Sequence, residues 1–421
     1  MTTSFSQQQK QRVQSGSSRR GAVVPLIAIL LIPFTAMVAF AIDIAWIVQS
    51  RSDLQSAADA AALAGAEQLM NGFVQYSLPG QTQKSTILTA AETSAKTYAK
   101  NFASYNKAGG VSSLVLNDAD VQFGFTDANN NYTPAPTYTG FPNTVKVTMR
   151  LDSSANGALK LFFAPIFGQT SSNVQASAAA TIYTANIINF QPKPGTSTGL
   201  LPMTLDVNAW NAYVQSGVSS DGTTHSSANG APQMQVYPSP NLAPGNFGML
   251  SLNDSSNASS DINTWITSGM SSSDISALQS ANLLPLTSPN PGLWDWKGTP
   301  GFKASDLNSL TVNQTYLMPV FEPVVGVPGS TYEAAPGTVY QATDKSVGPA
   351  DVGAGGVGQN AYYNLVKFVG VQITTVDKSK DAYAQPAAVL VPTALYDSST
   401  VAPAGTTSEF MTTFTTPKLT Q

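Results

Sequence analysis

The chain contains no cysteine. That excludes disulfides, Cys-ligated zinc or iron–sulfur sites and a thiol nucleophile. Its one histidine is His225, so a two-histidine metal site or a histidine relay cannot be built within one chain. Charge is scarce too: 10% of residues are charged, against 42% hydrophobic. The first figure is too high for a multi-span membrane protein and the second too high for a disordered chain. The few charges are unevenly placed. Residues 1–20 carry Lys10, Arg12, Arg19 and Arg20 and no acid, while the rest of the 421-residue chain is net acidic. A nucleic-acid binder needs a basic face on its folded part, so that class is excluded. The length accommodates two or three domains.

What is present begins with an apolar run. Gly21 to Ile42 holds no charge, and twenty-two helical residues reach roughly 33 Å at about 1.5 Å each, enough for a bilayer core of about 30 Å. Arg19 and Arg20 precede it, which predicts a cytoplasmic N-terminus. Trp46 falls where an interfacial aromatic anchor is expected. Ala39-Phe40-Ala41 would serve as the cleavage site of a secretory signal, but the run exceeds the usual signal core of about 7–15 residues. Pro25 and Pro33 each remove a helical hydrogen bond and predict a bend. No second stretch approaches 18 apolar residues, so a single span is expected.

The helix is expected to continue through the alanine-rich stretch 51–70, since alanine is the best helix former. Leu54, Ala58, Ala61, Gly65 and Leu69 share one face and form a small-residue packing face. Asp53, Ser56, Asp59 and Glu67 lie opposite. A second helix is predicted from about Ser85 to Tyr105, with Ile87, Ala91, Tyr98, Phe102 and Tyr105 as its apolar face and Glu92, Lys96 and Lys100 opposite. Alternation then predicts strands through Val121–Phe125, Val145–Leu151 and Val174–Ile182. Residues 190–349 hold 16 of the 27 prolines and four of the five tryptophans. Short apolar runs there, parted by Ser/Asn/Gly/Pro stretches, predict a β-rich domain with long loops. Its last strands are expected at Tyr362–Thr375 and Pro386–Tyr396. The fold class is therefore α+β: a transmembrane helix continuing into a helix outside the membrane, two helices on a small antiparallel sheet, then the β-rich domain. The expected boundaries are a basic tail at 1–20, an anchor at 21–49, an α+β domain at 50–185, a β-rich domain at 186–400 and a loose tail at 401–421.

Arg19-Arg20-Gly21, the apolar run, Asp43 and then LQSAADAAALAGA (Leu54–Ala66) together resemble the N-terminal region of TadG-like Flp/Tad pilus-assembly proteins. DVQFGF (Asp120–Phe125), NTVKVTMR (Asn143–Arg150) and LFFAPIFG (Leu161–Gly168) are weaker echoes of the same proteins. The resemblance implies a bacterial inner-membrane envelope protein that helps assemble or stabilise Flp-type pili, with other pilus-assembly or pilin-like subunits as partners. Two departures limit it. The Asp-x-Ser-x-Ser metal motif of some members is incomplete at both Asp254-Ser255-Ser256 and Asp397-Ser398-Ser399. Related prepilins carry Glu five residues after a processed glycine, and here Gly21 is followed at that spacing by Leu26.

Chemical motifs are sparse. Gly353-Ala354-Gly355-Gly356-Val357-Gly358 matches a dinucleotide fingerprint in letters alone, without the strand before it and the helix after it that such a site requires. Asp127-Ala128-Asn129-Asn130-Asn131 starts like an EF-hand loop, but Tyr132 and Tyr138 occupy the positions that need Gly and Glu, so it reads as a turn. His225 lies in a Ser/Gly-rich loop and is expected to be a spacer rather than a base with Asp221. Trp294-Asp295-Trp296 is either core packing or a sugar-stacking patch. Asp43 is either an interfacial acid or a contact for a partner's basic group or helix terminus. These readings combine into a non-enzymatic, single-pass envelope protein with no metal and no small-molecule cofactor. It sits in the lipid bilayer with its N-terminus cytoplasmic and the bulk of the chain exported. The alternative is a membrane-tethered binding module for surface glycans or envelope partners.

Overall fold

A computed structural model describes residues 23–78, 80–219, 221–227, 231–237, 248–253, 259–281, 283–286, 296–297, 304–321, 331–335, 338–341, 362–363, 365–377, 380–390, 396–406 and 410–420. Arg19 and Arg20, the glycine-rich stretch 353–358, and Trp294 and Asp295 lie outside these residues.

The first helix, α1, runs unbroken from Val23 to Glu67 and passes through Pro33. Its first half is exposed on nearly every side, and its second half enters a protein core. Gln68 separates it from α2 (Leu69–Ser77), and α3 (Lys84–Ser104) then packs back along it. Strands β1 (Val121–Thr126), β2 (Tyr132–Pro134) and β3 (Thr144–Leu151) follow. A short hairpin, β4 (Leu159–Lys160) with β5 (Ser171–Ser172), precedes the long β6 (Val174–Phe190). The pairing of β3 with β6 sets Val145 against Ala180, Val147 against Ala178 and Met149 against Ala176. All six of these side chains are buried, as period-two alternation demands.

β6 is shared between two cores. Its residues up to Ile182 belong to the core of the first lobe, while Ala185, Ile187 and Phe190 belong to that of the second. The expected boundary at 185/186 thus falls inside one strand. Beyond it come β7 (Ser197–Thr198), β8 (Leu205–Asp206), α4 (Val207–Ser216), β9 (His225–Ser226) and β10 (Pro232–Tyr237). Next are α5 (Ser259–Ser268), β11 (Met270–Ser271), α6 (Ser272–Ser280), β12 (Trp296–Lys297) and β13 (Thr315–Phe321). The lobe ends with β14 (Thr331–Ala335), β15 (Thr338–Gln341), β16 (Tyr362–Tyr363), β17 (Leu365–Asp377) and β18 (Asp381–Pro386). Its main sheet has the order β8-β13-β17-β18-β10-β9. The lobe is rich in strands, as expected, but among the described residues it also holds the helices α4, α5 and α6. Of the strand expected at Pro386–Tyr396, Pro386 ends β18, Val389–Leu390 form a short strand and 391–395 lie outside the described residues.

The chain then returns to the first lobe. Strands β19 (Val389–Leu390), β20 (Tyr396–Pro403) and β21 (Thr413–Leu419) complete a sheet ordered β19-β21-β6-β3-β1-β2, with β20 also on β6. The tail 401–421, expected to be loose, is therefore largely strand: β21 pairs with β6 from Ala180 to Thr184. Asn143, fully buried, fixes this return. Its side chain accepts from the Thr126 amide at 2.7 Å and donates to the carbonyls of Thr126 and Ala404. The Gln75 side chain also donates to the Pro386 carbonyl, tying α2 to the second lobe.

Candidate functional site

The site is at the foot of the first lobe, where α1 leaves its exposed apolar half. Asp43 is the first charge after the uncharged run. Its side chain leans toward the helix N-terminus, as helical side chains do, and so toward the apolar half. It is 3% exposed, while its neighbours Ile42 and Ile44 are each 44% exposed. The carboxylate accepts three successive backbone N–H groups. Oδ1 is 2.8 Å from the Phe162 amide, and Oδ2 is 3.0 Å from that of Phe163 and 2.7 Å from that of Ala164. These amides open a single 3-10 turn, Ala164–Phe167, which Gly168 ends in the left-handed conformation at φ 86°. The first N–H groups of a helical turn have no partner within it, and a carboxylate there satisfies both their hydrogen bonds and the positive end of the turn's dipole. Asp43 thus caps a helical terminus, one of the two contacts open to it from sequence, but the terminus belongs to its own chain.

The capped turn is the tip of the β4–β5 hairpin. The Trp46 ring, half-buried one turn above Asp43, meets Phe162 with centroids 5.8 Å apart. The other faces of the tip are bare: Phe162 is 64% exposed, Ile166 79% and Phe167 74%. This segment attracts attention in the sequence only as a family echo. A stronger signal was available, since four large apolar residues flank a proline and no acid occurs between 153 and 173.

Above the clamp lies the small-residue face. Leu54, Ala58, Ala61 and Leu69 are fully buried in the core of their own chain. Gly65 faces α3 and β3 so closely that a Cβ would lie 3.2 Å from the Ala95 carbonyl oxygen and 3.2 Å from the Val145 Cγ1. The opposing face of α3 is Ala91, Ala95, Ala99 and Ala103. This corrects the expected face of α3: Tyr98, Phe102 and Tyr105 point outward, 42–79% exposed. The close approach of α1 admits only alanine at the seam, which rotates the larger side chains out.

The remaining sequence candidates are easily placed. Asp127 makes the turn expected of it, accepting from the amides of Asn129 and Asn131 at 2.8 and 2.9 Å. Hydrogen bonds from the Asn131 amide and side chain hold the Asp127 carboxyl below its ordinary pKa, against a smaller opposing effect of desolvation. Trp296 is fully buried and donates its indole N–H to the Leu283 carbonyl at 3.2 Å. His225 is more than a spacer. It forms β9 and lies 2.7 Å from Asp221 and 2.8 Å from the Thr223 hydroxyl. Among the described residues no group of three or more acids and histidines is arranged to hold a metal.

Residues 21–68 match the family model of putative Flp pilus-assembly TadE/G-like proteins. The matched stretch is α1 almost end to end: the exposed apolar half, Asp43 and the small-residue face. No curated protein and no solved structure matches the chain.

Proposed function

We propose that this protein is a non-enzymatic, single-pass inner-membrane protein that takes part in assembling or stabilising Flp/Tad-type pili. The observation that carries the reading is the match over 21–68. It coincides with the described helix that holds a stretch long and apolar enough to cross a membrane. By the positive-inside rule, Arg19 and Arg20 support a cytoplasmic N-terminus with both lobes outside it. The uninterrupted α1 gives the anchor a mechanical role. It is both the span and a core element of the first lobe, so a load on the exported part reaches the membrane without passing through a linker. Partners are then other pilus-assembly or pilin-like subunits, met on surfaces other than the small-residue face, which the chain itself covers.

Removing the protein from a piliated host tests this directly. Surface pili should be lost or reduced, the full chain should restore them, and a chain lacking 21–42 should not. Unchanged piliation in the deletion strain overturns the reading. Alkaline phosphatase fused after Gln68 should be active if the topology is as stated.

A further inference from the structure

Apart from Tyr98, Phe102 and Tyr105 on and beside α3 and a few single positions, the large apolar side chains exposed on the described residues fall in two groups. Most belong to α1 between Leu26 and Val48, and Phe162, Phe163, Ile166 and Phe167 form a second group on one hairpin tip. We propose that this tip is inserted in the exported-side leaflet of the bilayer that α1 crosses, giving the protein a second membrane contact. The inference rests on the anchor reading above.

Depth is the first argument. Asp43 directly follows the uncharged run, and the backbone of residues 162–164 is hydrogen-bonded to its carboxylate. The tip is therefore within one side chain of the end of the span. The strands confirm the direction. The Gln55 side chain donates to the Ser177 carbonyl, and from there β6 descends to Val174 opposite Leu151 at the lower end of β3. The hairpin 159–172 hangs below that end, toward the apolar half of α1.

Backbone chemistry is the second. A segment can enter an apolar phase only if its N–H groups are paired. Asp43 takes those of Phe162, Phe163 and Ala164, while Pro165 has none. Ile166 donates to the Phe163 carbonyl and Gly168 to that of Pro165. The tip thus carries its hydrogen bonds with it. Asp43 in turn is neither free nor solvated, which explains why an acid is buried at the end of an apolar span.

Charge and aromatic placement are the third. The hairpin holds one charge, Lys160, exposed at its base, at the depth of acidic lipid headgroups. The Trp46–Phe162 pair lies at the same level, where aromatic side chains favour the bilayer interface.

The native chain lacks cysteine, so single probes can be placed cleanly. The full-length protein is labelled with an environment-sensitive fluorophore at Phe167→Cys, or at Ile166→Cys if the first variant folds poorly. It is then reconstituted in phosphatidylethanolamine–phosphatidylglycerol vesicles. Ile32→Cys within the span and Ala128→Cys on an exposed turn serve as references. The tip probe should be quenched by spin-labelled lipid as at 32, and its quenching by aqueous iodide should be several-fold weaker than at 128. Strong iodide quenching at the tip, with 32 still reached only by lipid, overturns the proposal and leaves the anchor standing. Iodide quenching at both overturns the anchor as well. A tip shielded from both quenchers is covered by protein, and this too overturns the proposal.

Discussion

The first lobe is packed with alanine and the second with aromatics. Along α1 and α3 the buried residues are almost all alanine, and most long side chains come from the other elements around them, among them Leu69 and Met70 of α2, Phe123 of β1, Val145 and Met149 of β3 and Phe414 of β21. In the second lobe Trp210, Trp265, Trp296, Phe190, Phe321 and Tyr363 are all buried. Helix length explains the contrast. The helices α1 and α3 are 45 and 21 residues long, form readily from alanine, and gain from lying close. The helices α4, α5 and α6 have 10, 10 and 9 residues, too few to stand alone in water. Each needs a large side chain to hold it on the sheet. The first lobe should therefore tolerate lost volume and suffer from added volume, and the second the reverse.

The largest effect is expected from Trp210→Ala, which leaves a cavity under α4. Truncation of a buried tryptophan costs about 3–5 kcal/mol. Four of the five tryptophans lie between 210 and 296, so fluorescence of the full-length protein in detergent reports mainly on the second lobe. Its unfolding midpoint in urea should fall steeply while the helical circular dichroism of α1 and α3 persists to higher denaturant. An equal loss in both signals would show that the lobes unfold as one unit and would break the comparison.

Ala61→Phe is the reciprocal test. Overpacking a filled seam costs typically about 1–3 kcal/mol. The helical signal should now be lost first, with fluorescence following at the wild-type midpoint. A variant as stable as the parent would show room at the seam that Gly65 and its close contacts deny.

A third, smaller effect compares the buried carboxylates of the two lobes. Asp206 caps α4, accepting from the Asn208 amide at 2.7 Å, as Asp43 caps the hairpin tip. Burial raises the Asp206 pKa against the hydrogen bonds from Asn208 and Ala209. Asp206→Ala should cost about 1 kcal/mol, the usual worth of an N-cap, read as a lower fluorescence midpoint. No change would mean that the fixed start of α4 depends on Trp210 alone.

The parts legible in the sequence were the local ones. Alanine content gave α1 and α3, and period-two alternation gave β3 and the first half of β6. Hydrophobicity favours Tyr98 and Phe102 as the buried face of α3, whereas the space left by α1 favours Ala95 and Ala99. Two helix starts in the second lobe are encoded locally. Ser271 and Asp274 form a reciprocal capping box at α6, and Asp206 with Gly217 brackets α4. The return of the tail was not readable, since Thr420 bonds to Ala179 across 241 residues and nothing local encodes such a pairing. Asp43 stood out as an acid beside an apolar run, but its partners lie 119 to 121 residues away. Only its burial, visible in the fold, decides between a harmless interfacial charge and a cap.

The smallest expected effect concerns the Asp221–His225 pair at the edge of the second lobe, set against the Arg150–Asp120 pair of the first. Burial pushes the Asp221 carboxyl up, but hydrogen bonds from His225 and Thr223 outweigh it and hold the pKa at about 2. A carboxyl depressed in the folded state contributes stability above its ordinary pKa of about 3.9 and loses it as pH falls toward the folded value. The window is thus roughly pH 4 down to 2. Asp221→Asn should be slightly less stable than the parent at neutral pH, within the 0–1 kcal/mol or so of a surface pair. The two should converge as the pH is lowered through that window. Fluorescence-detected unfolding of the full-length protein at several pH values measures this. A gap that widens between pH 4 and 2 would show that the His225 contact is not what depresses the carboxyl. A gap independent of pH would show that Asp221 acts through its turn with Thr223 rather than through charge.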